Sequence, residues 1–178
     1  MTDKKQMPDY FSFYEIPVQF NPDLNAVKAK FYAFSKKYHP DFYANESEEK
    51  QVEVLELSTL NNKAYQVLSN PDKCLKYVLE LKGIVASDEA YQLPQSFLME
   101  MMDVNEALME LEFEPDTAKL LEVNNQVNII ETKLSHDLAA LTGAYNENNI
   151  DAAEQLSRIK DIFYRQKYIN RIRERLPK

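Results

Sequence analysis

Residues 24–41 read LNAVKAKFYAFSKKYHPD, and this stretch decides the fold class of the first part of the chain. Its apolar residues recur at spacings of 4, 3 and 4, as on one face of an amphipathic helix, at Val27, Phe31, Phe34 and Tyr38. Proline cannot continue the helical hydrogen-bond ladder, and it disfavours helical geometry at the residue before it. The stretch therefore predicts a helix over residues 23–38 that ends in an exposed His-Pro-Asp loop.

The same helical periodicity runs through the rest of the 178 residues, interrupted at prolines and polar turns. We expect an all-α protein with helices at 9–15, 23–38, 46–69, 72–82, 94–112, 116–142 and 149–175. The polar stretch 84–93 predicts a linker. The expected organisation is a four-helix domain at residues 1–83, the linker, and a three-helix bundle at residues 94–178, joined by short loops that favour antiparallel neighbours.

Residue counts exclude several classes of site. The chain has two isolated glycines, so it can form neither a Walker loop nor a dinucleotide-binding fingerprint. One cysteine, Cys74, excludes an intrachain disulfide, and with only two histidines it cannot supply the clustered ligands of a structural zinc site. We expect no metal and no cofactor, and Cys74 is interpreted as a small buried hydrophobe.

The location of the protein is predicted from features that the sequence lacks. The first ten residues, MTDKKQMPDY, contain no apolar run of the kind that a secretory signal needs. No window holds 18 uninterrupted apolar residues, so we expect no membrane span. A cytoplasmic protein that does not bind membranes is the resulting expectation.

Charge is strongly segregated along the chain, which carries a net charge of −8. Residues 84–118 hold nine acids and no Lys or Arg, whereas residues 158–178 carry a net charge of +6. No acid lies between Asp23 and Asp41, so the predicted second helix is locally basic through Lys28, Lys30, Lys36 and Lys37. Such a surface attracts acidic partners, or is simply solvated. The net negative charge argues against a nucleic-acid partner.

The loop residues allow more than one interpretation. Asp41 can accept two parallel hydrogen bonds from an arginine of a partner, or it can cap the next stretch of chain. His39 can be a helix-end cation that balances the helix dipole. An enzyme that uses the two as an acid–base pair lacks an evident third orienting group, nucleophile or metal set in the sequence.

The context of the loop resembles a J domain, the chaperone-stimulating domain of DnaJ-type proteins. The resemblance covers residues 9 to about 82: a short aromatic helix (DYFSFYEIP), the lysine helix, the HPD tripeptide, a polar loop (FYANES) and a long helix ending LNNKAYQVLSNP. It implies that His39, Pro40 and Asp41 stimulate ATP hydrolysis by a DnaK-type chaperone. It also implies that the four lysines dock near the same partner.

The first helix of the second module has two distinct faces. At about 100° per residue, one narrow apolar stripe is interpreted as core: Phe97, Met101, Val104, Leu108 and Leu111. The opposite face combines apolar and acidic residues: Leu98, Met99, Met102, Asp103, Glu106 and Glu110. Methionine-rich patches adapt to partner surfaces, and neighbouring acids add charge selectivity. The alternative is a helix that is buried on both sides at its start.

The sequence LPQSFLMEMMDVNEAL, at residues 93–108, resembles the second domain of the iron–sulfur co-chaperone family of HscB type. The resemblance implies a non-enzymatic monomer that delivers an IscU-type scaffold protein to an HscA-type chaperone. It also implies that the mixed face of the helix contacts the scaffold, together with an apolar residue of the last helix. Ile162 and Phe163 are the nearest matches there, and we select Phe163. A J protein that serves a general DnaK-type chaperone and a different client is the alternative.

Overall fold

The computed structural model describes residues 8–86 and 90–176, and every regular element within these residues is helical. The all-α prediction is confirmed. The elements are α1 (Tyr10–Tyr14), α2 (Leu24–Lys37), a 3-10 helix (Pro40–Tyr43), α3 (Glu48–Leu68), α4 (Pro71–Leu81), α5 (Gln95–Glu100), α6 (Met102–Phe113), α7 (Thr117–Ala144) and α8 (Ala152–Arg175). The chain divides into two compact units between Leu81 and Lys82. Part of the predicted linker, at residues 87–89, lies outside the described residues.

The first unit is built on the hairpin of α2 and α3. The rings of Phe31 and Tyr65 stack with their centroids 4.2 Å apart, and Asn61 donates a hydrogen bond to the Ser35 hydroxyl at 3.0 Å. These pairs run in opposite directions along the two helices, so α2 and α3 are antiparallel. The loop between them, which contains the HPD tripeptide, therefore lies at one end of the hairpin.

A buried polar cluster ties α1 to this hairpin. Asn61 is the one buried polar residue among the described residues. Its Nδ2 also donates to the carbonyl oxygen of Phe31 at 3.1 Å, and its Oδ1 accepts from the Tyr14 hydroxyl at 2.9 Å. Burial raises the pKa of Tyr14, which keeps the phenol protonated as the donor of this bond. Three helices are thus connected through one amide.

The buried face of α3 differs slightly from the periodicity that the sequence displays. Leu60 and Ala64 are buried as the spacing predicts, whereas Leu57 and Val67 are only half-buried. Val54 and Leu68 are buried together with Asn61, so the core face is rotated toward these positions. The apolar spacing alone missed this face, because one of its buried positions is the polar residue Asn61.

Cys74 lies on α4 and is 1% exposed, which confirms its interpretation as a buried hydrophobe. Burial raises the pKa of its thiol to about 11, because the thiolate would be desolvated there. Gly83 follows α4 with φ of +66°, a left-handed conformation that is available to glycine without strain. The predicted end of the helix before this residue is therefore explained by its backbone.

The second unit is a bundle in which α7 packs against both α6 and α8. The predicted core stripe of α5 and α6 is buried throughout: Phe97, Met101, Val104, Leu108 and Leu111. The long helices also contribute core residues, since Val127 of α7 and Ile159 of α8 are fully buried. The buried face of α5 and α6 is the one that the helical periodicity predicts.

The predicted helix at 94–112 is interrupted at Met101, which separates α5 from α6. The carbonyl oxygen of Met101 accepts two hydrogen bonds from Asn105, one from the backbone N–H at 3.0 Å and one from Nδ2 at 2.7 Å. The same Nδ2 group donates to the hydroxyl of Tyr168 at 2.8 Å. The backbone bond continues the helical ladder past Met101, and the amide contact with Tyr168 attaches the start of α6 to α8. The prediction of one continuous helix was wrong at this residue.

Arg173 of α8 forms a set of hydrogen bonds with α7. Its Nε and Nη2 atoms donate to the two carboxylate oxygens of Glu131 at 3.0 and 2.7 Å, and its Nη1 donates to Asn124 at 2.9 Å. Nη2 also donates to Asn128. This bidentate geometry is specific to the planar guanidinium, so α7 and α8 are held in one register.

Candidate functional site

The HPD loop begins where α2 ends at Lys37. The backbone of His39 is extended, with φ of −73° and ψ of 122°, and Pro40 opens the 3-10 helix. The Nδ1 atom of His39 accepts a hydrogen bond from the backbone N–H of Asp41 at 3.3 Å. His39 therefore acts as the N-cap of this turn through its ring nitrogen. The cap of this turn is His39 and not Asp41.

The carboxylate of Asp41 points into solvent. Its side chain is 86% exposed, and the nearest basic atom within the described residues is Nδ1 of its own neighbour His39, at 3.8 Å. Among the described residues, this carboxylate accepts no hydrogen bond. Its oxygens are thus available to a donor outside the chain, such as an arginine fork.

Two contacts hold the loop in place. The hydroxyl of Tyr43 donates to the carbonyl oxygen of Lys37 at 2.9 Å, which caps the end of α2. The backbone N–H of Phe42 donates to the carbonyl oxygen of His39 at 3.1 Å, and the two rings lie 5.4 Å apart. The loop is consequently a short ordered turn, with the ring of Phe42 exposed beside the tripeptide.

The four predicted docking lysines do not share one environment. Lys28, Lys36 and Lys37 are exposed, whereas Lys30 is half-buried and its Nζ lies 2.5 Å from a carboxylate oxygen of Glu15. The hydrogen bond from Lys30 lowers the pKa of Glu15, which favours the charged carboxylate in this contact. Lys30 thus pairs α2 with the end of α1, and three lysines remain directed to solvent.

An exposed tyrosine on the same helix was missed by the sequence reasoning. Tyr32 lies midway between Lys28 and Lys36 at helical spacings of four, and its side chain is exposed. Residues four apart are neighbours on a helix surface, so the ring stands in a row with the two ammonium groups. The same angular plot that was applied to the second module would have identified it.

The mixed face of α5 and α6 is exposed. Met99 and Met102 are 66% and 65% exposed, and Leu98 beside them is exposed as well. The opposite stripe is buried, so the alternative of a helix buried on both sides does not apply to these residues. The structure brings the three apolar side chains together on one surface of the second unit.

The predicted acids accompany this apolar surface. Asp103, Glu106 and Glu110 are all exposed. Glu110 is ion-paired with Lys119 at the start of α7, which places the acidic side of α6 toward that helix. Asp103 and Glu106 form no ion pair with another described residue, so they keep their charge available to a partner.

Phe163 lies in the packed interior and not on this surface. It is 7% exposed, its ring meets that of Tyr164 at a centroid distance of 5.2 Å, and the ammonium group of Lys167 lies 5.6 Å from its ring centroid. Ile162 is equally buried. The apolar spacing of α8 fits this burial, which leaves little of either side chain accessible for a contact.

The described part of the chain offers neither a cluster of metal ligands nor a helix able to cross a membrane. No group of three or more His, Cys, Asp or Glu side chains there could hold a metal ion. Among the described helices, none combines the length and the apolar composition that crossing a membrane requires.

Comparison with known proteins identifies the family. A co-chaperone protein HscB homologue of Vibrio cholerae is 30% identical over 171 residues, which is 94% of this chain and 98% of that protein. The chain belongs to the HscB family of co-chaperones. The co-chaperone protein HscB of Proteus mirabilis is 32% identical over 114 residues, 64% of this chain and 66% of that protein. The family model of the HSCB C-terminal oligomerisation domain matches residues 93–177.

Solved HscB structures share the fold. The crystal structure of human co-chaperone protein HscB matches with a TM-score of 0.73 at 24% identity, over 97% of this chain and 82% of that one. Chaperone HscB from Vibrio cholerae matches with a TM-score of 0.58 at 28% identity, over 96% of this chain and 100% of that one. The resemblance to the HscB family that the sequence carries is therefore confirmed over nearly the whole chain.

Proposed function

We propose that this HscB-family protein stimulates the ATPase of a DnaK/HscA-type chaperone through the HPD loop. The observation that carries this proposal is the Asp41 carboxylate, which lies on an ordered turn, is 86% exposed and accepts no hydrogen bond from the described residues. An exposed carboxylate on an ordered turn suits a charged bidentate contact with an arginine of a partner. The exposed Lys28, Lys36 and Lys37 beside it attract an acidic chaperone surface.

The second unit binds an IscU-type iron–sulfur scaffold protein through α5 and α6. Exposed Leu98, Met99 and Met102 supply apolar area, and exposed Asp103 and Glu106 favour a partner with a basic edge. These are the positions that match the scaffold-contacting helix implied by the family resemblance. Phe163 of α8, which the family resemblance assigns to the same contact, is 7% exposed and can add only a small area to it.

The protein acts by joining two partners and not by catalysis. With the chaperone bound to one unit and the scaffold to the other, the scaffold is held at a high effective concentration near the chaperone. ATP is hydrolysed by the chaperone, so this chain needs no cofactor and no nucleotide site. We propose a cytoplasmic monomer that binds neither nucleic acid nor membranes.

The proposed stimulation of the chaperone is tested with Asp41→Asn in a steady-state ATPase assay of an HscA-type chaperone. Asparagine keeps the shape of the side chain and removes the charge that an arginine would bind, so stimulation should fall to the level of the chaperone alone. The circular dichroism spectrum should not change, because Asp41 supports no described contact with its carboxylate. Asp72→Asn, an exposed acid in the first turn of α4, is the matched control and should retain stimulation. Full stimulation by Asp41→Asn would contradict the proposal.

The proposed binding of the scaffold is tested with the double variant Met99→Ala/Met102→Ala in calorimetric titration with an IscU-type scaffold. Loss of two exposed methionine side chains should raise the dissociation constant by about tenfold or more if they are buried on binding. Leu121→Ala/Ile129→Ala, which trims two exposed residues on α7, is the matched control. An unchanged dissociation constant for the methionine variant would remove this face from the proposal.

A further inference from the structure

Two further large apolar side chains lie on α6 outside the surface described above. Met109 is 56% exposed and Phe113 is 87% exposed. Met102, Met109 and Phe113 are separated by seven and four residues, so they project within about 40° of one another at roughly 100° per residue. The apolar surface that starts at Leu98 therefore continues along the whole of α6 to its last residue.

This apolar row has an acidic border on one side. Glu106 and Glu110 are exposed, and the ion pair of Glu110 with Lys119 shows that this side faces α7. The row itself contains no charge. A partner that covers it must therefore meet negative charge along the α7 side.

The opposite border is basic and is contributed by α8. The Asn105 amide donates to Tyr168 at 2.8 Å, and Arg175 donates to Glu112 at 3.0 Å, so α8 lies along this other side of α6. Arg171 is exposed one turn before Arg175, and its guanidinium lies 5.6 Å from the ring centroid of Tyr168. Arg175 is ion-paired with Glu112, so among the described residues Arg171 supplies the unpaired positive charge on this border, opposite the carboxylates of Glu106 and Glu110.

We infer that Met109 and Phe113 extend the scaffold-binding surface and that the two charged borders fix the orientation of the scaffold. This inference rests on the proposed scaffold-binding function. The occupant is a folded scaffold protein whose apolar patch has a basic edge, seated over Glu106, and an acidic edge, seated over Arg171. An exposed row on a convex helix suits a protein surface and not a small molecule, and opposite borders disfavour the reversed orientation through like-charge contacts.

The extension is tested by calorimetric titration of the full chain with a cluster-free IscU-type scaffold encoded by the same genome. Phe113→Ser should weaken binding by about tenfold, because an almost fully exposed ring would lose its burial in the complex. Met109→Ser should weaken it by about fivefold on the same grounds. Ile129→Ser on α7 removes an equally exposed side chain away from the row and should change the constant by less than about twofold.

The orientation is tested by reversing one charge on each border. Glu106→Lys and Arg171→Glu should each weaken scaffold binding by about threefold to tenfold at low salt, with the effect shrinking at high salt. A scaffold with a uniformly basic surface would instead bind Arg171→Glu more tightly than the unmodified chain. Tighter binding by that variant would overturn the inference of a fixed orientation.

The outcomes separate this inference from the function on which it rests. If Met99→Ala/Met102→Ala weakens binding and Phe113→Ser does not, the scaffold surface stands and its extension is wrong. If the unmodified chain does not bind the scaffold, both fail. Sedimentation of the chain alone adds one more outcome: a dimer that Phe113→Ser converts to a monomer would assign the row to self-association and overturn the inference.

Discussion

Replacing Asn61 with alanine should strongly destabilise the first unit, because the buried side-chain amide bonds to residues of two other helices. The amide donates to the Phe31 carbonyl oxygen and to the Ser35 hydroxyl, and it accepts from Tyr14. The Tyr14 hydroxyl also reaches the backbone oxygen of Asn61 at 3.0 Å, which alanine retains, so two hydrogen bonds are lost without replacement. At about 1 kcal/mol for each bond, and a further ~1 kcal/mol for the cavity, the free energy of unfolding should fall by about 3 kcal/mol.

The assay is urea denaturation of the full chain followed by far-ultraviolet circular dichroism, with hydrogen exchange locating the loss in α2 and α3. Asn62→Ala is the matched control, because Asn62 is the exposed neighbour on the same helix and should change stability by less than about 0.5 kcal/mol. If Asn61→Ala were no more destabilised than Asn62→Ala, the amide would not connect the three helices as described.

Coupling within the cluster gives an independent check. Tyr14→Phe removes one donor, and Asn61→Leu removes the amide while keeping its branched shape, with slightly larger methyl groups in place of the amide atoms. Each single variant leaves the other polar group buried without its partner. The double variant removes both groups, so it should lose less stability than the sum of the two single variants. Additive losses would show that the two side chains stabilise the unit separately.

Three further predictions concern single side chains. Burial raises the pKa of the Cys74 thiol from 9.0 to about 11, so between these values the folded state keeps a proton that the unfolded state releases. The free energy of unfolding should therefore decline from pH 9 to 11. The decline, measured by urea midpoints, should be less steep in Cys74→Val. Lys30→Ala should reduce chaperone stimulation less than Lys36→Ala in the ATPase assay, because Lys30 is engaged with an acid of its own chain. Arg173→Lys should destabilise the chain by about 1–2 kcal/mol in thermal unfolding, because it loses a bidentate contact, and Arg175→Lys by less, because that pair is more exposed.

Much of the first unit is predictable from local sequence. The spacing of apolar residues on α2 and the proline at position 40 both act over a few residues, so the HPD turn was expected from residues 24–41. The pairing of Lys30 with Glu15 was not, because the two are 15 residues apart in sequence and meet only when α1 packs on α2. Long-range pairing of charges leaves no periodic signal.

The second unit shows the same division. Angular plotting separated the buried Phe97 stripe from the exposed methionines because a helix repeats regularly. It missed the interruption at Met101, where α5 ends and α6 begins. The scaffold contact of Phe163 is an expectation from the family resemblance, and that side chain is 7% exposed in the folded unit. Exposure depends on which helices meet, and one helix read alone does not specify this.

The central claim is that one chain links a chaperone to a scaffold, and the most direct measurement is the ATPase rate of an HscA-type chaperone with both partners present. The unmodified chain and the scaffold together should stimulate hydrolysis more than the sum of their separate effects, because the chain holds the scaffold near the chaperone. Met99→Ala/Met102→Ala should keep the stimulation due to the chain and lose the excess, whereas Asp41→Asn should lose both. Equal stimulation by all three proteins, with or without the scaffold, would contradict the account.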